Sequence, residues 1–308
     1  MKIFIFSLLF VTSGAIAQSI VLDQQQLLDD VRILASTDFG GRATGTGGNH
    51  KARTYLRKRF EAVGIKAFPS GYEQAFTFTR RFWRTTENGV NLMGYIPGTR
   101  SPKSYLVISA HYDHLGSRKG KLYPGADDNA SGVAVMLAAA AWFKPHPPAH
   151  SILFVTFDAE ELGMKGSRYF VSALPVPKEQ VVMNLNLDMV SRNDKNEIYV
   201  AGISKRSDFK PLVQQAAARS TVAVRYGHDS FFAHGDNWTD SSDQAPFNDE
   251  DIPFLMFGVE DHADYHQPSD TFEHIQQDFF AKTAHLIVDT ATVLDQHLDE
   301  VKAKRSWW

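Results

Sequence analysis

Residues 151–163, SILFVTFDAEELG, place an apolar run directly before a cluster of acidic side chains. The run 152–157 predicts a buried strand, and Asp158, Glu160 and Glu161 follow at its carboxyl end. Unpaired carboxylates in such a position cost on the order of several kcal/mol each, so a cation or hydrogen-bond donors must lie nearby. Because neighbouring side chains of an extended chain point apart, one glutamate can bind a metal while the other faces a water molecule.

The same acidic residues also permit a purely structural interpretation. Asp158 and Glu161 are three positions apart, which is the spacing of a capping box, and could open a helix around residues 166–173. This stretch alone does not decide between a metal site and a helix cap, so the rest of the chain must be considered.

The amino terminus has the pattern of an export signal. Lys2 precedes the apolar run 3–11, and Ala15-Ile16-Ala17 is an A-x-A cleavage site. This run is too short to span a bilayer. A buried first helix is the alternative. We therefore expect residues 1–17 to be a signal peptide, residues 18–308 to form one domain, and the protein to be exported to the periplasm or the medium.

Composition restricts the metal ligands and the binding partners that this chain can have. Charged residues make up 22% and hydrophobic residues 43% of the chain, as in globular proteins. No cysteine is present, so any bound metal must use histidine and carboxylate ligands. The net charge of −3 gives no support for nucleic-acid binding, and no later stretch is long and apolar enough for a membrane helix.

Strands and helices alternate along most of the chain. Apolar or alternating runs predict strands at residues 72–82, 90–96, 105–110, 152–157, 181–187 and 253–257. Helical spacing predicts helices at 27–35, from a cap at Asn49 to Gly64, at 131–143, near 166–173, from Ser207, and from 280 to 301. This alternation predicts an α/β fold, a three-layer sandwich with a central mixed, mostly parallel sheet flanked by helices.

Polar residues follow several of the predicted strands where each strand ends. His111 follows one strand, Glu160 and Glu161 another, and Asp188 a third. Ligand sites of open α/β sheets form outside the carboxyl ends of the strands. We therefore expect these side chains to converge.

Each motif taken alone has an ordinary explanation. A single histidine is more often a hydrogen-bonded core residue than a ligand, and Asp127-Asp128-Asn129 before a helix is typical of a turn and cap. His262 and His266 are four apart, but the HExxH motif of helical zinc peptidases is absent.

Taken together and in order, the motifs AHYDHLG, GADDNASG, DAEELG, NLDMV and HADYHQPSDT resemble those of the M28 family of di-zinc peptidases, the aminopeptidase-like zinc hydrolases. The segments GRATGTGG, NLMGYIPGT and SDQAPF resemble the same family, so the similarity covers nearly all of the chain after the signal peptide. The resemblance implies a zinc exopeptidase fold, two Zn²⁺ per chain, and the metal ligands His111, Asp127, Glu161, Asp188 and His266.

The same resemblance assigns roles within this set. Asp127 is expected to bridge the ions, with a cis peptide bond following it between Asp127 and Asp128, and Asp113 to accept a hydrogen bond from the ring of His111. Glu160 is the expected general base for a water activated by the two ions. The implied activity is hydrolysis of the N-terminal peptide bond of peptides or proteins by a monomer that binds neither nucleic acid nor a membrane.

The roles of four further residues stay open. Gln244 stands where the family often has histidine, and we expect it to affect substrate contacts. Asp270 could support the loop of His266 or cap a helix. Tyr226 or Tyr265 could donate to the oxyanion, and the sequence does not choose between them.

Other functions remain open at this level. A glutaminyl cyclase resembles this family and uses a single working zinc, although cyclases tend to have tryptophan before the last histidine, where this chain has Tyr265. A carboxypeptidase acting on acidic peptides is another possibility. A non-catalytic, protein-binding homologue is a third, but such relatives usually lack ligands or the base.

Overall fold

The computed structural model describes residues 20–79, 85–230 and 236–305. The predicted signal peptide and the end of the strand predicted at 72–82 lie outside these ranges. The described helices are α1 Gln24–Leu34, α2 Gly47–Val63, α3 Gly132–Phe143, α4 Lys165–Ser172, α5 Lys210–Ala217, α6 Ala245–Asp249, α7 Gln277–Gln296 and α8 Leu298–Arg305. The described strands are β1 Glu73–Thr79, β2 Thr86–Ile96, β3 Ser101–His111, β4 Gly116–Arg118, β5 Lys121–Tyr123, β6 His150–Phe157, β7 Val181–Leu187, β8 Glu197–Ala201, β9 Ala223–Tyr226 and β10 Phe254–Gly258.

Eight of the described strands form one mixed sheet in the order β1-β2-β6-β3-β7-β10-β8-β9. The four central strands β6, β3, β7 and β10 run parallel to one another, whereas β1, β2 and the β8–β10 pairing are antiparallel. The outermost pair β8 and β9 is again parallel. The mixed, mostly parallel sheet predicted from the sequence is confirmed.

Helices cover both faces of this sheet. Leu106 and Ile108 of β3 face a core shared with α1, α2, α3, α5 and α7, whereas Tyr105 and Val107 face a second core shared with α4 and α6. This two-residue alternation explains why the central strands read as continuous apolar runs, since both faces are buried. The three-layer sandwich is therefore confirmed. In the described ranges no helix is both long and apolar enough to cross a membrane.

Several element boundaries differ from the predictions. Helix α2 is capped by Thr46, whose side chain accepts from the backbone N–H of Asn49, so Asn49 is not the cap. The proposed capping box of Asp158 does not form, because α4 begins only at Lys165. The final helix predicted as continuous is interrupted at His297.

The glycine-rich segment 38–49 is an ordered support for the loop that follows β5. Arg42 is fully buried, and its guanidinium donates to the backbone carbonyls of Tyr112 at 2.8 Å, Leu34 at 2.7 Å, Pro124 at 2.5 Å and Gly125 at 2.7 Å. Burial lowers the pKa of Arg42 to about 10, which leaves it charged at neutral pH. Arg42 thereby ties the start of the GADDNASG loop to the end of β3.

Candidate metal centre

The carboxyl ends of the four central parallel strands meet at one edge of the sheet, and most predicted site residues lie there. His111 is the last residue of β3, Glu160 and Glu161 follow β6, and Asp188 follows β7 directly. His266 lies in the segment after β10. The structure thus brings together four of the five predicted ligands and the predicted base, from separate parts of the chain.

The first cluster of groups that could hold a metal ion consists of His111, Asp128 and Asp188. The Nε2 atom of His111 lies 3.3 Å from Oδ1 of Asp128 and 3.3 Å from Oδ1 of Asp188. Ligand atoms from all three residues lie within 4.8 Å of one another. Burial lowers the pKa of His111, but the carboxylates of Asp188 and Asp128 outweigh it and raise that pKa well above its ordinary value.

The second cluster consists of His114, Asp128 and Glu161, with His266 beside them. Nδ1 of His114 lies 2.7 Å from Oε1 of Glu161 and 3.6 Å from Oδ2 of Asp128. Nε2 of His266 lies 3.1 Å from Oδ2 of Asp128 and 3.5 Å from Oε2 of Glu161. Asp128 therefore presents one oxygen to each cluster.

This geometry contradicts the prediction for Asp127. Its Oδ1 accepts from the backbone N–H and the hydroxyl of Ser191, both at 2.7 Å, and its Oδ2 lies 2.9 Å from Nε2 of His262. The residue between the two clusters is Asp128, one position later. The cis peptide bond is likewise displaced by one residue, because it joins Asp128 to Asn129.

Two buried aspartates hold the loops of the site. Asp113 accepts from the backbone N–H groups of Glu160 at 3.0 Å and Glu161 at 3.4 Å. The ring Nδ1 of His111 contacts the backbone carbonyl of Asp113 at 3.1 Å, whereas the carboxylate is 3.8 Å away, so the backbone oxygen is the acceptor rather than the predicted side chain. Burial raises the pKa of Asp113 well above its usual range.

Asp270 supports the Asp128 loop rather than the loop of His266. Its carboxylate accepts from the backbone N–H groups of Asp127 at 2.9 Å and Asp128 at 3.1 Å. The short helical turn that follows has Thr271 at its N-cap position, so Asp270 is not its cap. Burial, with the charge of Asp127 next, raises the pKa of Asp270 to about 7.

The two adjacent glutamates lie in different surroundings, although residues 158–164 form bends and turns and not the extended chain that the sequence argument assumed. The charges that act on Glu160 come chiefly from His111, Asp243 and Asp188. Those that act on Glu161 come chiefly from Asp128 and His114. Burial raises the pKa of Glu160 well above its ordinary value, and the carboxylates of Asp243 and Asp188 add to this effect, while His111 opposes it.

The SDQAPF segment lies behind the first cluster. Ser242 donates to Oδ2 of Asp188 at 2.6 Å. Gln244 is fully buried, accepts from Nδ2 of Asn186 at 2.9 Å and donates to the backbone carbonyl of Trp238. It therefore has no open face towards a substrate, contrary to the prediction, and acts by holding this polar network.

Tyr265 is the better placed of the two candidate tyrosines. Its ring stacks on His266 with the ring centroids 4.0 Å apart. Tyr226 instead ends β9 at the edge of the sheet, where Nζ of Lys210 lies 5.1 Å from its ring centroid.

The residues present fit a pair of zinc ions. Imidazole and carboxylate groups are the ligands that zinc accepts when thiolates are lacking. Burying this many carboxylates together is unfavourable unless cations compensate them. Both ring nitrogens of His114 and Oε1 of Glu161 are buried without a hydrogen-bond partner in the described protein, which is the state expected of ligand atoms.

Besides Asp128, His114 is a site residue that the sequence reasoning missed. It stands three residues after His111 in AHYDHLG, just beyond the end of β3. The signal was available, because a second histidine only a few residues after a strand that ends in a candidate ligand falls at the same edge of the sheet.

Comparison with known proteins agrees with this geometry. Residues 91–291 match the model of peptidase family M28. The chain belongs to this family. Over 223 residues it is 32% identical to aminopeptidase YwaD of Bacillus subtilis, a match covering 68% of this chain and 46% of that protein. Leupeptin-inactivating enzyme 1 of Streptomyces exfoliatus is 29% identical over 242 residues, or 77% of this chain and 48% of that protein. The M28 chain thus spans about half the length of these curated relatives.

Solved structures share the M28 fold at low identity. A zinc aminopeptidase from Bacillus subtilis superposes with a TM-score of 0.73 and 17% identity, covering 89% of this chain and 96% of that one. A glutaminyl cyclase from Fimbriiglobus ruber superposes with a TM-score of 0.72 and 21% identity, covering 90% of this chain and 97% of that one. These similarities establish the zinc exopeptidase fold.

Proposed function

We propose that this protein is an exported zinc-dependent aminopeptidase that holds two zinc ions and uses Glu160 as its general base. The observation that carries the proposal is the position of Asp128, which offers one carboxylate oxygen to His111 and the other to His266. His111, Asp128 and Asp188 would hold one ion, and Asp128, Glu161 and His266 the other.

The chain's own residues supply proton transfer and positioning. When bound, a pair of zinc ions lowers the pKa of a water molecule and polarises a carbonyl oxygen. Glu160 is left free of both clusters and would take the proton of the attacking water and return it to the leaving amine. Asp113 fixes Glu160 in place through the backbone N–H of that residue at 3.0 Å. Tyr265, stacked on His266, is placed to donate to the developing oxyanion.

Substitution of the two glutamates tests these roles. Glu160→Gln should keep bound zinc and the fold but lower kcat on an aminoacyl-nitroanilide by about 10²–10⁴-fold, the range typical of a lost general base. Glu161→Ala should instead lose zinc. Metal analysis of the dialysed variants separates the two effects, and near wild-type turnover by Glu160→Gln would remove this residue from the proton-transfer role.

Aminopeptidase specificity is tested by the substrate. A free α-amine should be required, so an N-acetylated aminoacyl-nitroanilide should not be cleaved. Activity should disappear in chelator and return with zinc. Hydrolysis of blocked peptides from the carboxyl end would overturn the aminopeptidase assignment in favour of a carboxypeptidase.

Glutaminyl cyclisation is the second candidate, because a glutaminyl cyclase shares the fold at a TM-score of 0.72. Asp243 is a further acidic group of this site. Burial raises its pKa to about 7, and its charge acts on Glu160. A peptide with N-terminal glutamine separates the two functions. A peptidase releases free glutamine, whereas a cyclase forms a pyroglutamyl peptide and releases ammonia.

A further inference from the structure

His114 is a buried histidine of the site to which the di-zinc arrangement above gives no role. It is about 1% exposed, and neither of its ring nitrogens has a hydrogen-bond partner among the described residues. Its Nδ1 nevertheless lies 2.7 Å from Oε1 of Glu161, an atom that also lacks a hydrogen bond. The two atoms approach closely without the geometry of a donor and an acceptor.

Such an approach is expected of two ligands of one metal ion. Zinc binds nitrogen and oxygen at about 2.0–2.2 Å, so that neighbouring ligand atoms of one ion lie roughly 3 Å apart with their lone pairs directed at the ion rather than at each other. An unsatisfied buried imidazole costs on the order of 1–3 kcal/mol, so the position is unfavourable unless a ligand compensates for it.

The loop opposite is shaped to accept this ring. A Cβ atom added to Gly125 would lie 2.5 Å from Cγ and 2.6 Å from Cδ2 of His114. Gly125 also has φ +64°, in the left-handed region that disfavours residues with a side chain. The imidazole is therefore held against bare backbone just before the loop of Asp128, with Nδ1 towards Asp128 and Glu161.

We propose that His114 is a third histidine of the metal centre and binds the second ion together with Asp128, Glu161 and His266. This inference rests on the proposed di-zinc function and adds a ligand to it. The second ion then has four protein ligands, whereas the first has three: His111, Asp128 and Asp188.

The two positions consequently differ in character. A zinc site closed by four protein ligands is typical of tightly held ions, and a site with three leaves a position for water or substrate. His114 lies three residues beyond the end of β3 and is buried, whereas His266 lies in a loop with its side chain 39% exposed. His114 would therefore anchor the second ion.

Zinc binding by matched variants tests this assignment. Zinc-free wild-type protein, His114→Phe and His111→Phe are titrated with zinc in the presence of a competing chelator, and circular dichroism confirms that each is folded. Phenylalanine keeps a flat ring against Gly125 and removes both nitrogens. In His114→Phe we expect one ion to bind at least about 10-fold more weakly and the other unchanged, and in His111→Phe the opposite ion to be affected.

X-ray absorption of the zinc-loaded wild-type protein gives a reading that needs no variant. Three imidazoles distributed over two zinc ions are expected, against two imidazoles over two ions without His114. Unchanged affinity for both ions in His114→Phe, or two imidazoles in the wild-type spectrum, overturns the inference. If His114→Phe does not fold, the wild-type spectrum decides alone.

These measurements also separate this inference from the proposed function. Wild-type protein that binds two zinc ions but cleaves no aminoacyl substrate contradicts the peptidase while leaving His114 as a ligand. Full peptidase activity with two imidazoles per pair of ions contradicts only the role of His114.

Discussion

Replacing Arg42 by methionine should be among the most destabilising single changes in this protein. The guanidinium donates to four backbone carbonyls, and the side chain is fully buried. Methionine fills similar space but leaves these acceptors without donors, at about 1–3 kcal/mol each. Since water can reach some of them after relaxation, we expect the free energy of unfolding to fall by about 4 kcal/mol or more, a large share of the ~5–15 kcal/mol of a typical domain.

Urea denaturation followed by circular dichroism measures this loss. Arg42→Lys should lie between wild type and Arg42→Met, because an ammonium is a point donor and cannot reach carbonyls arranged around a planar fork. The matched control is Arg57→Met on α2, where the exposed arginine makes an ion pair with Glu61 at 3.3 Å. That change should cost less than about 0.5 kcal/mol.

The same variants test whether the arginine positions the metal loop. Arg42 donates to the carbonyls of Pro124 and Gly125, which only Ala126 separates from Asp127 and Asp128. Arg42→Met should therefore bind zinc more weakly even in conditions where it remains folded. A free energy of unfolding within about 1 kcal/mol of wild type, combined with normal zinc affinity, would refute this reasoning.

Two other predictions concern the buried carboxylates. Burial raises the pKa of Asp243 and of Asp270 to about 7 each, so between about pH 4 and pH 7 the zinc-free folded chain binds more protons than the unfolded chain. Its free energy of unfolding should therefore decrease as pH rises through this window, by a few kcal/mol at roughly 1.4 kcal/mol per pKa unit. In thermal melts recorded across this pH range, Asp243→Asn should show a smaller decrease than wild type. A rise in wild-type stability over this range would contradict the assignment. Asp128→Asn should lose both zinc ions while Asp127→Asn keeps them, and metal analysis showing the reverse pattern would restore the original prediction.

The strands that carry the site were predictable because burial on both faces leaves a continuous apolar run. His111 and Asp188 stand at the ends of such runs, so their convergence followed from the parallel arrangement alone. The short strands β8 and β9 were missed for the opposite reason. β8 is only 5 residues long and β9 is half exposed at the edge of the sheet, which leaves no distinctive pattern.

The error at Asp127 has a local origin. Asp127 and Asp128 are adjacent, acidic and almost fully buried, and they lie in a loop where no period assigns a direction to either side chain. Only the partners distinguish them, since Asp127 is satisfied by Ser191 and His262 whereas Asp128 faces the histidines of both clusters. Those partners come from distant parts of the chain and could not be read from the motif.

The interleaved order of the central strands has a consequence for biosynthesis. The strands β6, β3, β7 and β10 stand side by side, but the candidate ligands they position are spread along the chain from His111 to His266. A nascent chain in which β10 and the segment after it have not yet been synthesised therefore lacks part of the ligand set and cannot assemble the full centre. The full set of candidate ligands is therefore present only once the chain has been synthesised through His266.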